Sequence, residues 1–87
     1  MKQAPLTSLG RSLLMEMEPY VKEEPQRLYT IDDIAFIIGY RKAHTVGFIL
    51  MPLERLGVVT RFTSAHGAPA LYQFNADAFA RVVSKEK

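Results

Sequence analysis

The chain has 87 residues and a formal net charge of +2, from 11 Lys and Arg against 9 Asp and Glu. This length predicts a single domain over residues 1–87 that buries roughly 60–65% of its extended-chain surface, enough for a small core. The sequence contains no cysteine, which excludes a disulfide framework and cysteine-ligated zinc.

No apolar run approaches the roughly 18 residues of a membrane span. Residues 1–19 also lack the long uninterrupted apolar region of a signal peptide. We therefore expect a cytoplasmic protein without a membrane partner.

The charges are unevenly distributed along the chain. Residues 1–40 carry four basic and six acidic side chains, a net charge of −2, whereas residues 41–87 carry seven basic and three acidic side chains, a net charge of +4. This layout suits a module that offers one face to a polyanion and another to a protein. With this few charges, a chance asymmetry is the alternative.

The first predicted helix begins near Leu6 and extends to about Glu18 or beyond. Its apolar residues recur every three or four positions. They are Leu6, Leu9, Leu13, Met17 and Val21. Pro19 either ends this helix or starts a further turn, and Pro25 forces an extended segment that leads to a short strand at residues 28–29.

Residues 30–56 predict two helices joined by a glycine turn. Thr30 is placed to cap the first of them, with Asp33 completing a capping box, and Gly39 is placed to end it in a left-handed turn. The first helix has the apolar face Ile31, Ile34, Ala35 and Ile38, and the second has Val46, Leu50, Leu53 and Leu56. Helix, glycine turn and helix form the helix-turn-helix signature. We expect Pro52 to kink the second helix or to break it and begin a short final turn.

The residues after Gly57 change to a strand pattern. Residues 58–63 and 70–74 are rich in β-branched and aromatic side chains and flank a loop with glycine and proline, so they predict a β-hairpin. Asn75 or Asp77 then caps a final helix over residues 76–83. Its apolar residues are Ala78, Phe79, Val82 and Val83.

The segment HTVGFILMPLERLGVVTR resembles the recognition helix and first wing strand of MarR-type winged helix-turn-helix regulators. In that family a Thr-Val pair opens the helix, and an L-x-x-L-G-[LV]-V run leads into the wing. The segment DIAFIIGY is similar to the AraC-type signature I-A-x-x-x-G-[FY]. Complete AraC-type domains have two helix-turn-helix units, whereas only a hairpin follows Gly57, so the winged interpretation is the better supported. The resemblance spans about residues 6–83.

The resemblance implies that the helix from about residue 43 lies in a DNA major groove. Its outward positions near the amino end are Lys42, His44, Thr45, Gly47 and Phe48. Arg41 and Lys42 suit phosphates or guanine edges, Thr45 suits a phosphate or a base edge, and His44 suits either. The alternative for Arg41 and Lys42 is a solvated turn without a ligand.

Phe48 and Met51 depart from the polar groups usual at such positions. Phe48 has three alternatives: contact with thymine methyl groups, a place in a protein-binding face beside Met51, or partial burial. Partial burial is the commonest fate of such residues, and Ile49 is placed to widen the core stripe and to draw Phe48 partly inside.

The predicted hairpin supplies the wing. Arg61 near its base and Ser64, His66 and Gly67 at its tip are placed to reach backbone phosphate or a minor groove. Gly67 also permits a positive φ or a close approach to the backbone. Arg61 is the only fixed cation of this wing, which makes it a weak site.

The sequence offers little for catalysis. His44 and His66 are far apart in the chain and have no metal-ligand spacing, and Ser64 lacks a nucleophile elbow. No phosphate-binding glycine motif is present, so we expect no enzyme activity, metal or cofactor.

These observations together predict an α+β winged helix-turn-helix domain with a three-helix core, a two- to three-stranded hairpin wing over residues 57–75 and a C-terminal helix. We expect it to bind double-stranded DNA as a sequence-specific transcription regulator. Because one module makes few base contacts, we also expect a homodimer joined through the first helix, the last helix or both. The alternative is a winged-helix module for protein–protein contact that uses the Phe48 and Met51 face.

Overall fold

A computed structural model describes residues 8–39, 42–63 and 66–86. The described residues form four helices and three strands, which confirms the predicted α+β class. In chain order they are α1 (Ser8–Glu23), β1 (Leu28–Tyr29), α2 (Ile31–Ile38), α3 (Ala43–Arg55), β2 (Val59–Phe62), β3 (Leu71–Phe74) and α4 (Ala76–Glu86).

The three strands form one antiparallel sheet in the order β1-β3-β2. β2 and β3 are the predicted hairpin, with Val59 opposite Phe74 and Phe62 opposite Leu71. β1 adds to the other edge of β3, with Tyr29 opposite Tyr72. The short strand before α2 therefore ties the start of the two-helix unit to the hairpin.

The capping signals around α2 act as the sequence predicts. The Thr30 hydroxyl accepts a hydrogen bond from the Asp33 amide at 3.0 Å, and the Asp33 carboxylate accepts one from the Thr30 amide at 3.0 Å. Gly39 ends the helix with φ 75°, and its amide donates to the carbonyls of Ala35 and Phe36. Both ends of α2 are thus fixed by local chemistry, and these predictions are confirmed.

Two prolines lie inside helices without ending them. α1 continues through Pro19 to Glu23, and α3 runs through Pro52 to Arg55 as one helix. Of the two alternatives predicted at Pro52, the break is therefore wrong, and the kink stays a prediction. A proline at these positions removes the amide that would pair with the carbonyl four residues earlier. Those carbonyls belong to Met15 and Phe48, whose side chains mark the solvent side of each helix, where water can bond the freed carbonyl.

Gly57 ends α3 in a left-handed conformation with φ 80°. Its amide donates to the Glu54 carbonyl at 3.1 Å, and the next amide, of Val58, donates to the Leu53 carbonyl at 3.0 Å. This pair of bonds is the Schellman pattern, and the fully buried Val58 and Leu53 supply its apolar contact. The chain therefore turns from α3 directly into β2.

All four helices and the sheet contribute to one core. Val46, Leu50 and Leu53 of α3 are buried as predicted, as are Leu13, Met17 and Val21 of α1. At the amino end of α1 the buried face is shorter than predicted, because Leu9 is exposed. Leu6, also predicted in this face, lies outside the described residues. In the centre, Phe74 packs edge-to-face against both Tyr29 and Phe79.

Tyr29 carries a buried hydroxyl into this core. The residue is 1% exposed, and its hydroxyl has no hydrogen-bond partner among the described residues. Burial raises the pKa of Tyr29 above its usual value near 10.0, and the Arg27 guanidinium, 4.8 Å from the ring centroid, opposes this shift. Tyr29 is therefore held as a neutral phenol.

Asn75 joins the last helix to the turn that follows α3. Its side-chain amide donates to the Gly57 carbonyl at 2.6 Å and to the Thr60 hydroxyl at 3.1 Å. Its own carbonyl accepts from the Phe79 amide at 2.8 Å, which begins α4. The predicted final helix is present, and it extends to Glu86 instead of ending at residue 83.

Candidate functional site

One face of α3 is turned to solvent along the whole helix. We call the residues of this face the outer stripe: His44, Phe48, Met51 and Arg55. Their spacing of four, three and four residues places them one above another on a helix, and all four are exposed. The outer stripe therefore has a histidine at its start, an apolar middle and a cation at its end.

The middle of the outer stripe does not pack against the protein. Phe48 is 69% exposed and Met51 is 47% exposed, although their neighbours Ile49 and Leu50 are buried. Ile49 does widen the core face, as predicted, but it leaves Phe48 outside. Partial burial, the commonest of the three alternatives for Phe48, is therefore wrong, because the buried side of α3 is already filled by residues 46, 49, 50 and 53.

The amino end of α3 presents Lys42 to solvent. Lys42 has extended backbone angles, φ −107° and ψ 104°, and its side chain makes no capping bond. Its carbonyl accepts from the Thr45 amide at 3.1 Å, and Thr45 itself is partly buried. The partial positive charge of the first helix amides therefore adds to the Lys42 ammonium here. Arg41, predicted beside it, lies outside the described residues.

His44 lies close to two other elements of the fold. It lines a depression of about 330 Å³ together with Thr30, Ile31 and Asp32 at the start of α2 and with Pro69 and Ala70, which lead into β3. The amino ends of α2 and α3 thus meet the returning arm of the hairpin. A ligand against His44 would also be near the acidic Asp32.

Arg61 of β2 lies against the carboxyl half of α3. Its Nε is 3.7 Å from the Glu54 Oε1, and it shares a depression of about 400 Å³ with Met51, Glu54 and Arg55. Arg61, the cation predicted on the wing, therefore lies beside the carboxyl end of the outer stripe and forms an exposed ion pair with Glu54. That pair competes with any phosphate for the guanidinium.

The loop of the hairpin carries His66, which is exposed, and Gly67, whose φ of 93° has the positive sign that the sequence permits. Ser64, also predicted at this tip, lies outside the described residues. His66 is therefore available to solvent, and no hydrogen bond or ion pair holds it among the described residues.

Gly47 lies between the outer stripe and the body of the protein. A Cβ atom on Gly47 would be 3.5 Å from the Cδ1 of Ile31, an ordinary van der Waals distance. This glycine is therefore not required by the packing of α3 on α2.

The sequence analysis did not single out Phe36, the most exposed of the large apolar side chains among the described residues. Phe36 of α2 is 87% exposed, whereas its neighbours Ile34 and Ala35 are buried. The signal was present, because residue 36 does not belong to the 31, 34, 35, 38 spacing that faces the core. α2 and α3 each therefore present a phenylalanine to solvent.

No group of three or more His, Asp and Glu residues among the described ranges is arranged to hold a metal ion. Within the same ranges, none of the helices combines the length and the apolar character needed to cross a bilayer.

Comparison with protein families, with curated proteins and with solved structures finds no match for this chain.

Proposed function

We propose that this chain is a winged helix-turn-helix domain that binds double-stranded DNA as a transcription regulator. In this proposal α3 lies in the major groove, and the β2–β3 hairpin is the wing that contacts the backbone. The observation that carries the proposal is the outer stripe, because a full-length helical face is left free of the core, with Lys42 just before its start and Arg55 at its end. The role is one of binding and not of catalysis.

The order of elements supports this proposal. A helix, a short strand, two helices separated by the Gly39 turn, a hairpin and a last helix follow one another in the order of a winged helix. The pairing of β1 with β3 also suits it, because it holds the hairpin beside the amino end of α2.

The charges of this face support it too. Lys42 precedes the outer stripe, Arg55 ends it, and Arg61 lies beside Arg55. Glu54 is the acidic residue in the same depression, so cations outnumber it. Lysine and arginine at such positions contact phosphates, which supply most of the affinity for duplex DNA.

A second candidate is a winged helix that binds another protein. Phe48, Met51 and Phe36 favour it, because exposed large apolar side chains are typical of protein interfaces. The ion pair of Arg61 with Glu54 favours it as well, since it reduces the charge available to phosphate.

We also propose that the chain binds DNA as a homodimer. α1 is the better candidate for the dimer contact, because Leu9, Met15 and Tyr20 are exposed on it. α4 is the poorer candidate, because its large apolar residues Phe79 and Val83 are already buried in the core. Polar side chains separate the exposed apolar residues of α1, so we expect a weak dimer or one that forms only on DNA.

A pair of charge variants tests the DNA proposal and the placement of the site together. Lys42→Ala removes a cation from the start of α3, and Lys85→Ala removes one from the exposed end of α4 as a matched control. We expect Lys42→Ala to weaken binding to a labelled random-sequence duplex by about 1–3 kcal/mol and Lys85→Ala to change it little. Equal affinities for the two variants would remove α3 from the DNA interface.

A further inference from the structure

The apolar middle of the outer stripe points to a particular chemical group on DNA. A helix in the major groove meets base edges that are hydrogen-bond donors and acceptors, with one apolar exception, the 5-methyl group of thymine. Resting on the proposed function, we propose that Phe48 and Met51 select DNA sites by contact with thymine methyl groups. The domain then recognises a T-containing half-site through apolar contacts at the centre of α3.

The position of these two side chains on the helix supports this inference. Phe48 lies four residues after His44 and Met51 three residues further, so they are roughly 6 and 10 Å along the axis from the start of the outer stripe. Val46, Ile49 and Leu50 are buried on the opposite side. This packing fixes the rotation of α3 and therefore holds Phe48 outward.

Phe48 and Met51 are poorly suited to contact a purely polar base edge at the centre of α3. Phe48 has no donor or acceptor, and the Met51 sulfur is only a weak acceptor. Packing them over a guanine or cytosine edge would leave the donors and acceptors of that edge without partners, at a cost. Packing them over a thymine methyl removes apolar surface from water on both sides.

The charges around this apolar centre suit a duplex more than an apolar protein groove. Lys42 precedes it, Arg55 follows it, and Arg61 lies beside Met51. Such an arrangement places phosphate-binding groups at both ends and base-reading groups between them, which is how DNA-binding helices divide their contacts.

The test begins with selection of a preferred site from a random-sequence duplex library by the wild-type chain. Each thymine of the selected site is then replaced singly by deoxyuridine, which lacks only the methyl group. We expect one or two positions to lose about fourfold in affinity, which corresponds to the ~0.8 kcal/mol of one buried CH₂ group. Phe48→Ala or Met51→Ala should remove the discrimination between thymine and uracil at its own position.

Phe36→Ala is the matched control, because it truncates a phenylalanine on α2 that is even more exposed than Phe48. This variant should keep the ratio of thymine to uracil affinity. Equal affinity for thymine and uracil at every position, or a ratio that persists in both Phe48→Ala and Met51→Ala, would overturn the inference. If the selection enriches no sequence but the chain still binds duplex DNA in a salt-dependent way, the inference about thymine is overturned and the DNA proposal stands. Absence of any duplex binding would overturn both.

Discussion

Arg61 and Glu54 form an ion pair that joins the wing strand β2 to α3, with the Arg61 Nε 3.7 Å from the Glu54 Oε1. Both side chains are partly exposed, so water screens the pair and it contributes little to stability, at most about 1 kcal/mol. The pair matters more for DNA binding. In the proposed function Arg61 binds a phosphate, and Glu54 competes with that phosphate for the guanidinium.

Glu54→Gln should therefore strengthen DNA binding. The change removes a negative charge from the proposed interface and releases Arg61, so we expect about fivefold higher affinity, the equivalent of ~1 kcal/mol for one exposed charge interaction. Fluorescence anisotropy at several salt concentrations measures this, and the salt dependence should steepen by about one phosphate contact. Glu16→Gln, an exposed acid on α1, is the control that should leave affinity nearly unchanged. Weaker binding by Glu54→Gln would place Arg61 outside the DNA interface.

Gly47→Ala should stabilise the fold. Glycine inside a helix costs roughly 0.5–1 kcal/mol relative to alanine, and the new Cβ would meet Ile31 only at 3.5 Å. Urea denaturation should show the free energy of unfolding increased by that amount. A clear loss of stability would mean that α3 packs on α2 more tightly than this distance indicates.

Gly39→Ala should instead lower the free energy of unfolding. Apart from its chain neighbours, no atom of the described residues lies within 4 Å of the new Cβ, but the φ of 75° is left-handed and costs an alanine about 1–2 kcal/mol. The same denaturation experiment measures it. An unchanged free energy of unfolding would show that the turn between α2 and α3 does not depend on this conformation.

Tyr29→Phe should change the response of the protein to high pH. The folded state raises the pKa of Tyr29 above 10.0, so the unfolded chain loses this proton first as the pH rises. Below pH 10 the hydroxyl is protonated in both the folded and the unfolded state, so its ionisation does not reduce the stability of the fold. As the pH rises from 10 through the raised pKa, the free energy of unfolding falls, because the unfolded chain gives up the proton more easily. The wild-type chain should therefore lose more stability above pH 10 than the variant does.

At neutral pH the same variant should be more stable by about 1 kcal/mol, because it lacks the hydroxyl that has no partner among the described residues. Thermal unfolding of both chains at pH 7 and at pH 11 measures the two effects. Parallel loss of stability in both chains at alkaline pH would contradict the assignment to Tyr29.

The sequence was most informative where structure depends on near neighbours. Thr30 with Asp33 and the glycine at position 39 act within one turn of chain, so their roles follow from residue type and spacing. The presence of the hairpin likewise follows from the β-branched and aromatic residues of its two strands and from the loop composition between them.

The sequence was less informative where the structure depends on packing between residues that are far apart in the chain. The rule that proline breaks a helix is local, and at Pro52 the burial of Leu50 and Leu53 on the opposite side keeps α3 continuous. The ion pair between Arg61 and Glu54 could not be predicted from spacing, because it requires the chain to reverse at Gly57 at a particular angle. The meeting of His44 with Pro69 and Ala70 depends in the same way on how the hairpin returns.

The most direct test of the central claim is the salt dependence of the affinity of the wild-type chain for a labelled duplex of random sequence. Three fixed cations of the proposed interface lie in the described part of the chain, namely Lys42, Arg55 and Arg61. Because Glu54 holds Arg61 in an ion pair, we expect Lys42 and Arg55 each to neutralise one phosphate, and the logarithm of the association constant should fall against the logarithm of salt with a slope of about −1.8, from −0.9 per phosphate. A slope near zero, or affinity no tighter than about millimolar at low salt, would contradict DNA binding by this face.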